Sequence, residues 1–136
     1  MPNIKLHELY INISSEIAKC SYANRAKVGA VLVRGGRIIS TGYNGMPTGL
    51  GNKCELPSGK TNPQVIHAEA NAILYSARTG QPTEGSTLYV TYSPCVECAK
   101  MIIQAGITHV IYLVEYRDTG GIQLLKDANI QLTQYH

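Results

Sequence analysis

The sequence predicts a three-layer α/β/α sandwich around a mixed five-stranded sheet, and three features of its 136 residues lead there. An amphipathic helix comes first. A β-hairpin follows it. After a long irregular loop, helix and strand then alternate to the C-terminus. An antiparallel hairpin continued by strand–helix–strand units requires strands of both directions, with helices covering both faces.

Each element has its own signature. Residues 4–19 place Leu6, Tyr10, Ile13 and Ile17 at helical spacing, the apolar stripe of an amphipathic helix. Residues 20–26 are small and basic and form a loop. Residues 28–33 are apolar and β-branched, and residues 38–43 resume the strand pattern beyond Arg34-Gly35-Gly36-Arg37, the Gly-Gly turn of a hairpin. Residues 44–63 hold four Gly and three Pro without periodicity. Loops of that length inside a compact domain are commonly functional. The alternation then runs helix 65–79, strand 86–91, helix 95–105, strand 109–113, helix 122–128 and strand 130–132.

At 14.8 kDa the chain is expected to make one domain spanning 1–136. A hydrophobic share of 44% against 15% charged residues provides for a core and excludes a disordered tail. The 12 Lys and Arg against 9 Asp and Glu give a net charge of +3. These charges are scattered, which argues against a nucleic-acid surface and leaves room for a small anionic ligand. No apolar stretch reaches the ~18 to 20 residues of a membrane span, and Met1-Pro2-Asn3-Ile4-Lys5 does not read as a signal peptide. The expected location is therefore cytoplasmic, where thiols stay reduced, so Cys20, Cys54, Cys95 and Cys98 point to metal or redox chemistry before disulfides.

Two stretches carry the chemistry. His67-Ala68-Glu69 falls at the expected start of the middle helix, and Pro94-Cys95-Val96-Glu97-Cys98 falls where a strand turns into the next helix. Pro94 suits a helix opening because its missing N–H costs nothing there. Cys95 and Cys98 share the face of the first turn, where free N–H groups and the helix dipole favour a thiolate. In an α/β sheet adjacent helices can bring their N-termini to one edge, placing His67 beside the two cysteines. His–Cys–Cys ligation leaves one tetrahedral zinc position open for water, the mark of a catalytic site. Zinc lowers the pKa of such a water toward ~7, and Glu69, two residues from a ligand, is placed to move its proton.

Other readings fit parts of this pattern. Cys-x-x-Cys opening a helix is also the thioredoxin-like redox layout, to which His67-x-Glu69 adds nothing. A closed structural zinc would recruit Cys54 or Cys20 as fourth ligand. Glu69 alone would be an ordinary first-turn acid favoured by the helix dipole. His-x-Glu followed by Pro-Cys-x-x-Cys is, however, the signature of the zinc deaminases.

The chain resembles the deoxycytidylate deaminases of the cytidine deaminase superfamily, in the compact form found in phages and bacteria. The resemblance runs through Lys27-Val28-Gly29-Ala30-Val31, Thr41-Gly42-Tyr43-Asn44-Gly45-Met46-Pro47-Thr48-Gly49, His67 to Leu74, Leu88 to Ile102 and the tail to Ile130. The zinc motif is common to the superfamily. The Gly-Tyr-Asn-Gly-x-Pro-x-Gly loop narrows the match to the deoxycytidylate branch.

That resemblance implies a cytidine deaminase-like fold and hydrolysis of dCMP to dUMP and ammonia, feeding thymidylate synthesis. It implies zinc held by His67, Cys95 and Cys98, with Glu69 as proton shuttle. The Ala68 backbone would meet the pyrimidine carbonyl, the Ser93 carbonyl the amino group, Asn44 the sugar or base edge, and Tyr116 the nucleotide face. For the 5′-phosphate the basic residues to weigh are Arg25, Lys27, Lys53 and Lys60, and Lys27 is preferred because it lies inside a matching stretch. A homohexamer activated by dCTP with Mg²⁺ and inhibited by dTTP is the family pattern, with Tyr43 and Gly45 near the effector and Arg78 at a subunit contact. Cys20 and Cys54, with His7 or His136, could contribute to a second zinc site. The rival readings are a tRNA adenosine deaminase, a free-nucleoside cytidine deaminase, and a non-catalytic zinc-stabilised module.

Overall fold

The computed structural model describes residues 4–136. In chain order the elements are α1 (Ile4–Ala18), β1 (Gly29–Arg34), β2 (Arg37–Tyr43), α2 (Ala68–Arg78), β3 (Thr87–Tyr92), α3 (Val96–Gln104), β4 (His109–Val114), α4 (Gly120–Asp127) and β5 (Gln131–Gln134). The strands form one sheet in the order β2-β1-β3-β4-β5. β1 is antiparallel to both β2 and β3, whereas β3–β4 and β4–β5 are parallel. The hairpin turn is short because Gly35 and Gly36 adopt φ of 59° and 74°, the left-handed geometry that such a turn demands. The parallel pairs instead need the crossovers that α3 and α4 supply.

Strand alternation divides the core into two layers. Ala30, Leu32, Leu88, Val90, Val110 and Tyr112 pack against Ala68 and Ala72 of α2, Ala99 and Ile102 of α3, and Ile122 and Leu125 of α4. Val31, Val33, Tyr89 and Ile111 pack instead against Tyr10 and Ile11 of α1. β1 and β3 are thus covered on both faces, which explains their unbroken apolar runs. Two glycines set the spacing of the layers. A Cβ on Gly29 would land on the Ser14 carbonyl of α1, and one on Gly42 would come within 2.5 Å of the Ala68 oxygen and 2.6 Å of the Ala72 nitrogen.

Several boundaries differ from the sequence reading. α2 begins at Ala68 rather than at residue 65, because Ile66 pairs with Gly45 in an isolated antiparallel bridge and keeps the chain extended. Pro94 does not open α3: Cys95 is the N-cap, with φ −74° and ψ 173°, so Pro94 stands one residue before it. β5 runs to Gln134 because its parallel register with β4 pairs Ile111 with Thr133 and Tyr112 with Gln134, a constraint that hydropathy does not carry. The 44–63 segment is also not shapeless, since Glu55 and Thr61 bridge to make a small hairpin.

A polar cluster lies under α1. His7 Nδ1 is 2.7 Å from the Tyr89 hydroxyl, His109 Nε2 is 2.9 Å from Thr133 Oγ1, and the two imidazoles meet edge to face at 6.0 Å. Burial, helped by His7, pushes His109 down to about 4. His7, Cys20 and Cys54 do not converge: among the described residues the one group of three or more potential ligands is elsewhere. No helix of the described residues is long and apolar enough to cross a membrane.

Candidate metal centre and its cleft

The N-termini of α2 and α3 meet at one edge of the sheet, and the residues at those starts are the metal-ligand candidates. His67 is the N-cap of α2 and Cys95 the N-cap of α3, and neither side chain caps its own helix. Ser, Thr, Asp or Asn would normally stand there, worth ~1 kcal/mol each. Both helices forgo that stabilisation, and the freed side chains turn toward each other. Cys98, one turn into α3, is buried behind them.

His67 Nδ1 lies 3.4 Å from the Cys95 sulfur and 3.4 Å from the Cys98 sulfur. Tetrahedral zinc, with Zn–S near 2.3 Å and Zn–N near 2.1 Å, places N and S ligands about 3.6 Å apart. The cluster is therefore already close to the shape that zinc requires, and soft thiolates with an imidazole are the donor set that zinc favours. Among the described residues no fourth ligand atom joins the group, so Cys54 does not close the site and Glu69 stands outside the ligand set.

The electrostatics follow from crowding. The Cys98 thiol and then His67, as hydrogen-bond partners, hold Cys95 down to about 4, while the shared proton and burial push Cys98 upward. His67 is raised chiefly by its bond to Cys95. A divalent cation with two thiolates and a neutral imidazole satisfies all three ligand atoms without that shared proton. Glu69 is 4% exposed, and burial lifts its carboxyl to about 7.

A cleft of about 260 Å³ opens over this cluster. That is near the lower end of the ~300 to 1,000 Å³ of small-molecule pockets, and the cleft is open to solvent, so a mononucleotide can be accommodated. Buried Glu69, Ala68 and Ser93 line its inner end, and exposed Arg25, with Thr61 and Glu55, lines its outer end. Tyr116 reaches the cleft because its N–H donates to Ser93 Oγ at 2.7 Å while the Ser93 N–H donates to the Val114 carbonyl at 2.9 Å.

The structure brings His67, Ala68, Glu69, Ser93, Cys95, Asn44 and Tyr116 to this one cleft, with Cys98 behind it. Asn44 also braces the loop before β1. Its Oδ1 accepts from the Val28 N–H at 2.9 Å, and its Nδ2 donates to the Ala26 carbonyl at 2.8 Å. Lys27, Lys53 and Lys60 are exposed and are not among the lining residues, whereas Arg25 is. Arg78 lies apart, in a second hollow of about 260 Å³ with Met46, Thr48, Asn71 and Tyr75. Tyr43 is near it in sequence and accepts the Asn71 side-chain amide through its carbonyl at 2.8 Å. Gly45 bonds Ile66 through both backbone groups, at 3.1 and 2.8 Å. The sequence reading missed Cys54, Glu55, Thr61, Val65 and Tyr92 as lining residues. Glu55 is the sole acidic residue of the 44–63 segment, but a lone acid in such a loop carries no signal of its partners.

Comparison with known proteins bears directly on this site. Residues 4–114 match the family model described as the cytidine and deoxycytidylate deaminase zinc-binding region. The deoxycytidylate deaminase of Enterobacteria phage T4 is 36% identical, the alignment covering 88% of this chain and 82% of that protein. ComE operon protein 2 of Bacillus subtilis (strain 168) is 40% identical, covering 98% of this chain and 73% of its own length. The solved dCMP deaminase of cyanophage S-TIM5, in complex with dCMP and dUMP, superposes with a TM-score of 0.96 at 40% identity, over 99% of this chain and 100% of that one.

Proposed function

The chain belongs to the cytidine and deoxycytidylate deaminase family, and on that premise we propose that it hydrolyses dCMP to dUMP and ammonia. The observation that carries this reading is the meeting of His67, Cys95 and Cys98, beside a buried carboxyl, at the inner end of a mononucleotide-sized cleft. The bound dCMP and dUMP of the cyanophage relative are the ligand class it brings to this chain. His67, Cys95 and Cys98 hold zinc, which when bound supplies a Lewis acid and brings the pKa of a water from about 15.7 to near 7.

Glu69 takes a proton from the attacking water and delivers it to N3 of cytosine. The oxygen adds to C4, and the C4–N4 bond then breaks. Glu69 takes the remaining proton from the oxygen added at C4 and hands it to the departing amine, so that ammonia leaves, that oxygen becomes the C4 carbonyl and the uracil ring remains. A carboxyl that burial holds at about 7 is suited to act as base and acid within one turnover. Ala68 is the first residue of α2, where its N–H has no intrahelical partner, and it donates to the pyrimidine carbonyl. The Ser93 carbonyl accepts from the amino group, Asn44 bonds the sugar through its remaining amide hydrogen, and Tyr116 packs on the nucleotide. Arg25, the one Lys or Arg lining the cleft, takes the 5′-phosphate, with Lys27 adding positive field beside it.

The second hollow, between the Met46–Thr48 segment and α2, is the effector site for dCTP with Mg²⁺ and for dTTP; Arg78 lines it, and Tyr43 and Gly45 precede its Met46–Thr48 wall in the chain. Leu74 and Tyr75, each 54% exposed on α2, meet a second subunit of a homohexamer. The dUMP produced feeds thymidylate synthesis.

The test is ultraviolet-monitored deamination of dCMP, deoxycytidine and dCTP side by side, the first two with and without a trace of dCTP and Mg²⁺. Turnover confined to dCMP supports the reading. Turnover of deoxycytidine alone would keep the chemistry and discard the phosphate. Silence on all three with zinc bound would overturn the dCMP assignment and favour a tRNA substrate or a non-catalytic module.

A further inference from the structure

Arg25 sits in a stretch, residues 21–28, with neither helix nor strand, yet it must present a guanidinium at a fixed point of the cleft. What fixes that stretch is a set of side-chain bonds to its backbone. The Ala23 N–H donates to Ser21 Oγ at 3.1 Å, and Ser21 Oγ donates to the Asn44 carbonyl at 2.7 Å. Asn44 takes the Val28 N–H and the Ala26 carbonyl. The remaining contact is the least expected: Glu55 Oε2 accepts from the N–H groups of both Asn24 and Arg25, at 2.9 and 3.2 Å.

Glu55 is itself held. It starts a small hairpin closed by the Leu56 N–H on the Lys60 carbonyl at 2.7 Å and the Asn62 N–H on the Cys54 carbonyl at 2.8 Å, and anchored by Cys54, which is 2% exposed. Thr61, the bridge partner of Glu55, places Oγ1 3.4 Å from Arg25 Nη1. The carboxylate grips the backbone of Arg25 and not its head: the ion pairs of the described residues are Lys19–Glu16 and Lys100–Glu97. An acid that paired with the guanidinium would compete with an incoming anion. This one leaves the guanidinium positive while holding the chain that carries it.

We propose that Glu55 is a positioning residue for the nucleotide phosphate, acting through Arg25. The inference rests on the assignment of the phosphate to Arg25. A carboxylate that accepts two backbone N–H groups makes charge-assisted bonds, stronger than neutral ones, and its removal frees the Asn24–Arg25 backbone to move. The cost falls on phosphate binding, because the zinc ligands, Glu69 and the pyrimidine contacts of Ala68 and Ser93 belong to the start of α2 and to the turn from β3 into α3 and its first turn.

The experiment measures dCMP deamination by wild type, Glu55→Ala, Glu55→Gln, Arg25→Ala and the Arg25→Ala/Glu55→Ala pair, with zinc content and thermal midpoint recorded for each. Glu55→Ala is expected to raise KM for dCMP about tenfold with kcat within about twofold, the loss of one charge-assisted anchor. Glu55→Gln keeps an acceptor oxygen and should restore most of the affinity. In the Arg25→Ala background, Glu55→Ala should add nothing further to KM, the coupling expected of residues acting through one group. An unchanged KM, a fall in kcat alone, or additive effects in the pair would overturn the proposal. Should Glu55→Ala not fold, Glu55→Ser, whose short side chain cannot reach the two N–H groups, takes its place, and a wild-type KM in Glu55→Ser overturns the proposal. If wild type shows no preference for dCMP over deoxycytidine, the phosphate reading itself falls, and this inference with it.

Discussion

Gly121, in the first turn of α4, faces the backbone of the metal-ligand turn. A Cβ there would sit on the Pro94 carbonyl oxygen, 2.7 Å from the Cys95 carbonyl carbon and 2.8 Å from the Cys95 oxygen. Helix propensity alone favours Gly121→Ala by about 1 kcal/mol. Sterics oppose it. Ordinary contact begins at 3.4 Å, so the Cys95 carbonyl must retreat by about 0.7 Å, and these are backbone atoms that no rotamer change can clear. Metal–ligand distances tolerate only about 0.2 Å, and the displaced residue is the one whose sulfur ligates. Gly121→Ala is therefore expected to lower zinc affinity ~10- to 100-fold, as disturbances behind a ligand do, and to destabilise the fold by ~1–3 kcal/mol. Competition with a chromogenic chelator measures the first and urea unfolding of the zinc-loaded protein the second. Gly120→Ala is the control, since its Cβ would meet only side chains, Val96 Cγ2 at 3.0 Å and Asp118 Oδ1 at 3.2 Å, which can rotate away. Wild-type zinc affinity in Gly121→Ala, or an equal loss in Gly120→Ala, would refute the reasoning.

Glu69→Gln preserves the shape at the cleft's inner end and should keep its zinc while turnover falls ~10²- to 10⁴-fold, the usual worth of a proton shuttle; metal analysis beside the dCMP assay checks both halves. Gly42→Ala should lower stability by ~1–3 kcal/mol in urea, because its Cβ would lie 2.5 Å from the Ala68 oxygen, and α2 must lift from β2. His109 is neutral in the fold down to about 4 but titrates near 6.5 when unfolded. Between those values the unfolded chain holds the extra proton, so stability rises with pH there and is lost as the pH falls from 6.5 toward 4, by at most about 3 kcal/mol. The slope of unfolding free energy against pH should be shallower in His109→Gln than in wild type over that window, and equal slopes would contradict the assignment.

Periodicity was sufficient for the elements whose burial is one-sided or total. α1 and the Gly35-Gly36 hairpin were legible because their patterns are local, and so was the convergence of His67, Cys95 and Cys98, whose spacing places them on two successive helix starts. The failures have a common cause in pairings made at a distance. Residues 65–67 look helical by hydropathy, but the Gly45–Ile66 bridge holds them extended, and that is what leaves His67 as an N-cap. Which basic side chain lines the cleft is also set at a distance: the sequence favours Lys27 by its neighbours, whereas with Asn44 and Glu55 clasping residues 24–28 it is Arg25 that is among the lining residues. The role of Glu55 was illegible because a lone acid in a Gly- and Pro-rich loop reads as solvated charge until its partners are known.

The arrangement also separates charge along the cleft. Zinc with two thiolates and a neutral imidazole is locally neutral, so the ligand set itself neither attracts nor repels a nucleotide. Of the other charged side chains that line the cleft, Glu69 is buried at the inner end, whereas Arg25 and Glu55 lie together at the outer end, the carboxylate turned to the backbone of residues 24–25. The α2 and α3 N-termini add partial positive charge at the inner end, which favours thiolates and an ionised Glu69, while burial acts on Glu69 in the opposite sense and prevails, holding it at about 7. A nucleotide entering phosphate-first would therefore meet a buried carboxyl with no cation free to receive it. Entry base-first leaves the phosphate at the solvent end, beside Arg25, the residue proposed to take it, whose guanidinium is outside every ion pair of the described residues. On the proposed assignment of the phosphate to Arg25, the orientation of the substrate follows from the buried acid at one end of the cleft and the guanidinium at the other, before any contact with the pyrimidine is made.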